Sequence, residues 1–261
     1  QDTRRPLADF TAALDGLMFQ ADLGSMRDKV ARLGRLTPLV GRRIGLNETD
    51  LGHAARAAAL AKSDLTTAMV VDFTSLQGVM GAAYARLSGE PEAVAIAVDE
   101  QYRPRGAGDA VPATGPGTAL ALADRLDSLG GRFAAGLRPK GTNDPYALRR
   151  AALGITAILV ERGLSLDLRA AVDDAAGGIP IAVTDAVRND VLDFLRRRLA
   201  FLLREAGHAA DAVAAVLAVQ GHDPAAAARD VRHLEAHVAR PDWNATLTAY
   251  ARCARLVRGR D

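Results

Sequence analysis

A single cysteine, Cys253, among 261 residues leaves no internal disulfide and no cysteine-rich metal site, and it fits a reducing compartment. Aromatic residues are scarce too, 4% against a hydrophobic fraction of 49%. That balance, carried by Ala, Leu and Val, disfavours β-sandwiches and barrels and favours helices packed through small and medium aliphatic side chains. Net charge is nearly absent: 33 basic residues face 31 acidic ones, for a formal charge of +2. A basic field over the whole surface is therefore excluded, and any basic surface is local. No apolar run reaches the roughly 18 residues of a spanning helix, and the start Gln1-Asp-Thr-Arg-Arg5 is polar. Neither a membrane span nor a signal peptide is read, and the cytoplasm is the expected location. The first residue is not Met, which points to a piece of a longer chain. Also missing are Gly-x-Ser-x-Gly, a Ser–His–Asp signature and the phosphate loop Gly-x4-Gly-Lys-[Ser/Thr]. Of five histidines only His233 and His237 share a helix face, without the Glu of the zinc-protease pattern or a third ligand, so no metal site is expected there.

What is present is helical punctuation, and the expected fold class is all-α. An amphipathic segment over 7–23 (Leu7, Phe10, Leu14, Leu17, Met18) is interrupted at Gly24-Ser25 and resumes over 26–36, with Pro38 and Gly41 as the next stops. Asn47-Glu-Thr-Asp50 supplies cap residues for a long alanine-rich helix over 51–71, the expected core helix, which carries Lys62-Ser63-Asp64. Shorter helices over 77–87 and 92–101 precede a Pro- and Gly-rich loop at 102–117, and a helix over 119–133 carries Asp124 and Asp127 at i, i+3. A break at Gly177-Gly-Ile-Pro180 precedes a strongly amphipathic helix over 184–206, with Val187, Val191, Leu192, Leu195, Leu199 and Leu202 inward. Helices over 211–219, 224–239 and 243–257 follow. Val216, Leu234 and Leu247 are expected to form an exposed apolar face if the bundle they open is incomplete.

Two places concentrate positive charge. In Gly136-Leu-Arg-Pro-Lys-Gly-Thr-Asn-Asp-Pro-Tyr-Ala-Leu-Arg-Arg-Ala-Ala-Leu-Gly154 a Gly/Pro loop runs into a helix, with Asp144 as N-cap and Pro145 at the first helical position. Arg149 and Arg150 then sit one turn into that helix, where free N–H groups and fixed charge suit a phosphate or a carboxylate. The arginines can equally hold Asp109 or Asp144 in place, with the loop a plain connector. On the helix over 184–206, Arg188, Arg196, Arg197, Arg198 and Arg204 form a basic side. It reads either as a surface for phosphate backbones or as a solvated face paired with Asp190, Asp193 and Glu205.

The motifs recur in a recognisable order. Phe19, Leu23-Gly-Ser-Met-Arg-Asp-Lys29 and Arg32 come first, then Ala58-Ala-Leu-Ala-Lys-Ser-Asp-Leu-Thr-Thr67, Met69-Val70, Phe73, Leu76-Gln-Gly-Val-Met-Gly81 and Tyr84. Tyr102, Pro104, Ala107-Gly-Asp109 and Pro112 follow, ahead of Ala121-Leu-Ala-Asp-Arg-Leu-Asp127, Gly136, Gly141 and Asp144-Pro-Tyr-Ala-Leu-Arg-Arg-Ala-Ala152. This series resembles the beta subunit of the bacterial heterotetrameric glycyl-tRNA synthetase. Val191-Leu-Asp-Phe-Leu195 and Arg198-Leu199 resemble the helical linker of the same subunit. Gly106 stands where the family usually has Phe, and Arg125 where it commonly has Lys.

The resemblance implies an HD-like helical domain over 1–176, a helical linker over 177–205 and part of an α-helical anticodon-binding domain over 206–261. It implies a non-catalytic piece of a glycine–tRNA ligase that binds tRNA-Gly and the alpha subunit within a heterotetramer, and neither a membrane nor DNA. ATP and Mg would serve the alpha subunit, with no cofactor and no catalytic residue here, and the isolated chain is expected to be inactive. Arg149 and Arg150, supported by Arg138 and Lys140, are the first candidates for contact with tRNA or the partner, and Arg196, Arg197 and Arg198 the next. Asp64 and Asp124 occupy the positions of a degenerate HD metal site whose aligned histidines are gone, so ligation there is expected to be weak. Two other readings stay open, an HD-type metal phosphohydrolase and a helical interaction scaffold.

Overall fold

A computed structural model describes residues 2–106 and 108–257. Ala107, from the motif series, and residues 258–261, at the end of the third expected domain, lie outside the described residues. Among those described, the chain is all-α apart from one short antiparallel strand pair, β1 (Met18–Gln20) with β2 (Gly24–Ser25). The twelve α-helices begin with α1 (Met26–Arg43), α2 (Glu48–Leu60), α3 (Ala68–Asp72), α4 (Val79–Leu87), α5 (Glu92–Glu100) and α6 (Gly115–Ala134). They continue with α7 (Leu148–Arg162), α8 (Leu168–Ala176), α9 (Asp185–Glu205), α10 (Ala210–Gln220), α11 (Pro224–Val238) and α12 (Trp243–Val257).

The central element is α6, and α1, α2, α5, α7, α8 and α9 all pack on it. Its residues are small where neighbours come closest: a Cβ on Gly130, Gly131 or Gly154 of α7 would lie under 3.0 Å from Ile179, Leu23 or Arg125. The helix is launched by buried Glu100, whose carboxylate accepts the N–H of Ala113 at 2.7 Å and of Thr114 at 3.1 Å, while Thr114 caps the first turn. One apolar core runs from Leu7 to Leu195. A second joins Leu199 and Leu203 to Val213, Leu217 and Val231, so the two cores meet along α9, beyond the break at 177–180.

Several expected helices are revised. Residues 7–23 form a 3-10 helix over Leu7–Gly16 and then the strand pair, because Pro6 and Gly16 bound the segment and β1 must bring Phe19 over the core. Pro38 does not stop α1, which runs to Arg43. A proline inside a helix costs about 3 kcal/mol, and burial of Leu33, Leu36, Thr37 and Val40 on that helix outweighs it. The alanine-rich segment 51–71 is not one helix either: α2 ends at Leu60, Lys62 takes φ +65°, and Thr67 caps α3. Ser63, Asp64 and Thr67 favour caps and turns over helix interiors, and the break turns Lys62 and Asp64 inward. On α9 Leu203 is buried where Leu202 was expected. Val216 is buried and Leu234 packs on the second core, leaving only Leu247 of that trio exposed.

Candidate nucleic-acid interface and the cleft beside it

The loop-to-helix junction differs from expectation at its start. α7 begins at Leu148, after Ala147 at φ +53°, so Pro145 lies outside it and Arg149 and Arg150 fall in its first turn. Asp144 caps the helix across the turn, accepting the N–H of Leu148 and of Arg149, each at 2.8 Å. Neither guanidinium pairs with Asp109 or Asp144 among the described residues. Arg149 donates to the carbonyl of Gly141, and Arg150 reaches the carbonyl of Arg105 at 3.4 Å.

Packing of α7 on α9 brings the two basic segments together. Arg198 is half-buried, with its guanidinium 5.7 Å from the Phe194 ring and 5.9 Å from Phe201. Burial, and then repulsion from Arg149 and Arg197, pull its pKa below the usual arginine value, while Asp144 opposes them. Arg149, Arg197 and Arg198 thus form one ridge. Arg197 is exposed and has no ion-pair partner among the described residues. Arg138 and Arg196 are exposed but answered, by Asp190 at 2.6 Å and Asp193 at 3.1 Å. Lys140 is exposed in the loop, where its backbone pairs with Asn143.

Between α1 and α6 lies a buried charge network that the sequence motifs encode. Lys29 and Arg32 stand at i, i+3 on α1 and face Asp124 and Asp127 at i, i+3 on α6. Lys29 Nζ lies 2.8 Å from Asp124 Oδ1 and 2.9 Å from Asp127 Oδ2, and Arg32 grips both oxygens of Asp127 at 2.6 and 3.2 Å. Lys62 donates to the second Asp124 oxygen at 2.8 Å. Burial alone would raise the Asp124 pKa, but the two ammonium groups override it and hold the carboxyl far below the usual carboxylate range. Phe19 covers the network, with Lys29 at 4.6 Å and Arg132 at 4.4 Å from its ring centre.

Asp64 serves a different neighbour. Its carboxylate accepts the N–H of Gly78 at 2.6 Å, and burial raises its pKa against that bond and the nearby Lys62. Gly78 needs to be glycine for its φ of +83° and because a Cβ would lie 2.6 Å from Tyr102. These residues do not fit a divalent metal centre: both Asp124 oxygens hold ammonium groups, and no group of three or more His, Cys, Asp or Glu among the described residues could hold an ion.

A polar cleft of about 600 Å³ opens between the segment after α5, the face of α6 and the start of α7. Arg105, Arg132 and Tyr102 line it, and sequence reasoning did not select them as site residues. Arg150 lines it too, and Tyr146 joins it to the loop of Arg138 and Lys140. The charge match between α1 and α6 was a usable signal for the network, whereas the cleft arises from three distant segments.

The geometry is therefore that of an all-helical protein with a matched charge network between α1 and α6, arginines without ion pairs at the α7–α9 junction and no metal-ligand cluster among its described residues. A family model described as glycyl-tRNA synthetase beta subunit matches residues 1–218. A glycine–tRNA ligase beta subunit of Sodalis glossinidius (strain morsitans) is 48% identical over 225 residues, covering 86% of this chain and 32% of that protein. The corresponding protein of Chromohalobacter salexigens is 44% identical over 259 residues, covering 98% and 37%, and that of Pectobacterium atrosepticum 46% over 226, covering 86% and 32%. The chain belongs to the glycyl-tRNA synthetase beta subunit family, and it spans about a third of the length of the curated relatives it matches.

Proposed function

We propose that this chain is the RNA-facing part of a glycine–tRNA ligase and takes no part in forming the adenylate. Within that reading residues 1–176 form an HD-like domain, 177–205 a linker and 206–261 the opening of an anticodon-binding domain. The partners are tRNA-Gly and an alpha subunit that uses ATP and Mg, in a cytoplasmic heterotetramer. The observation that carries the reading is the packing of α7 on α9, which sets Arg149 near Arg197 and Arg198 with no ion pair to any of the three among the described residues.

Fixed guanidinium groups without carboxylate partners suit the phosphate backbone, and A-form RNA hides its major-groove edges from side chains. Arg150 and Lys140 extend the ridge toward the loop. Arg138 and Arg196 contribute less, because phosphate must first displace Asp190 and Asp193.

The test is binding of tRNA-Gly and a non-cognate tRNA over a salt series, with Arg149→Ala/Arg150→Ala and Arg149→Ala/Arg197→Ala beside the parent. Each lost phosphate contact flattens the log–log salt slope by about 0.7–0.9. An unchanged slope in both variants contradicts the assignment of these arginines, and absence of binding at low salt contradicts an RNA-facing role for this chain.

A further inference from the structure

The cleft beside the ridge holds more positive charge than the protein itself answers. Asp124 is the one carboxylate in its lining among the described residues, and it already binds Lys29 and Lys62. Four arginines share the lining: Arg105 is paired with Asp99 at 3.7 Å, and Arg125, Arg132 and Arg150 have no carboxylate partner among the described residues.

Their states differ in an informative way. Arg125 donates to the carbonyls of Gln101, Ala121, Tyr102 and Pro104, so it is oriented without being neutralised. Burial lowers its pKa to about 10, which leaves it charged at neutral pH. The Arg132 side chain makes no hydrogen bond or ion pair among the described residues, and its Nε is buried without a partner. Its guanidinium is held by the rings of Phe19 and Tyr146, at 4.4 and 4.9 Å from their centres. Arg150 has only its long contact to a carbonyl.

Two neutral groups on the same wall are also unanswered. The Tyr102 Oη is buried and unpartnered, with Lys62 fixed 4.0 Å from its ring centre. Burial and the nearby Asp64 and Asp124 raise this phenol well above its usual range, so at neutral pH it is an O–H donor. Gln101 is fully buried beneath the lining and leaves Oε1 without a donor. Buried polar groups and cations in this condition destabilise a protein unless a ligand completes them. The α7 terminus is already capped by Asp144, so the capacity for an anion lies in side chains.

We infer that the cleft binds a terminal phosphate monoester of a nucleotide, with the phosphate on Arg132 and Arg150. Guanidinium forks match phosphate oxygens pairwise, which selects a multivalent oxyanion over a single carboxylate. The volume of about 600 Å³ exceeds what bare phosphate needs and lies within the range of small-molecule sites. A free mononucleotide and the 5′-terminal nucleotide of an RNA share this chemistry. The inference shares Arg150 with the loop-side extension of the ridge but uses none of Arg149, Arg197 and Arg198, which are assigned to internal phosphates, and Arg132→Met tests it apart from them.

Calorimetric titration of the 261-residue chain with inorganic phosphate, AMP, adenosine and short RNAs of one sequence bearing a 5′-phosphate or a 5′-hydroxyl tests it. AMP is expected to bind roughly tenfold or more tighter than adenosine, the margin of a charge-assisted hydrogen bond, or the 5′-phosphorylated RNA to exceed its 5′-hydroxyl form by that margin. The first result assigns a free nucleotide, and the second without the first assigns an RNA terminus. Arg150→Ala, at an exposed position, and Arg132→Met should each remove most of the margin. Equal binding with and without the phosphate, or a margin that survives in Arg150→Ala and in a folded Arg132→Met, overturns the inference, whatever the ridge does with tRNA.

Discussion

The α1–α6 interface and the α7–α9 ridge use the same residue types to opposite ends. At the first, Lys29, Arg32 and Lys62 are buried and each touches a carboxylate of Asp124 or Asp127. At the second, Arg149, Arg197 and Arg198 crowd one another without an ion pair among the described residues. Desolvation explains the difference: an unpaired charge in the interior costs several kcal/mol, whereas one at the surface keeps its water. Charge inside this protein is therefore architecture, and charge left unanswered at its surface or in its cleft is available to a ligand.

Breaking the inner set has the largest expected effect. Asp127→Ala leaves Lys29 and Arg32 buried without their carboxylate and should cost about 3–5 kcal/mol in urea unfolding, the range for removing one member of a buried pair. The pH dependence sharpens the point. Asp124 and Asp127 have pKa values depressed by the neighbouring cations, so their contribution is fully present above the unfolded value near 4 and is lost as pH falls toward the folded values. Stability of the parent should therefore decline below about pH 4, and in Asp124→Asn it should start lower at neutral pH and decline less.

Smaller effects come from the residues that shape the cleft. Gly154→Ala pushes a Cβ to 2.6 Å from the Arg125 Nε and should cost about 1–3 kcal/mol in the same assay. Arg197→Ala should change stability by no more than about 0.5 kcal/mol, as surface substitutions do, while it flattens the salt slope of tRNA binding. That dissociation between stability and binding is what separates the ridge from the inner network. Ala147→Gly should move stability the other way, a gain of up to about 1 kcal/mol in unfolding free energy from relief of its φ of +53°.

Much of this was legible in the chain. The all-α class followed from composition, and α4, α5 and α9 to α12 were bounded to within a few residues by caps and periodicity. The failures have a common cause. Lys62, Asp64 and Phe19 must face the charge network, and tertiary contacts there override local propensity, cutting the alanine-rich segment short and turning 18–25 into strands. Pro38 misled in the other direction, because the burial of its helix outweighs the proline penalty. The arginines of the ridge were visible as residues, but their union depends on the packing of α7 against α9. Arg105, Arg132 and Tyr102 carried no spacing that could announce a cleft. Gly78, by contrast, sat in a quoted motif, and its role in supporting Asp64 and Tyr102 emerged only with the backbone in place.

The most direct test of the division between matched and unmatched charge is the salt dependence of tRNA-Gly binding by Arg149→Ala/Arg197→Ala beside the parent chain. A slope flatter by about 1.4–1.8, with the unfolding midpoint unchanged, is the predicted result for two lost phosphate contacts. A parental slope, or a loss of binding that tracks a loss of stability, would show that these arginines are architecture like Lys29 and Lys62.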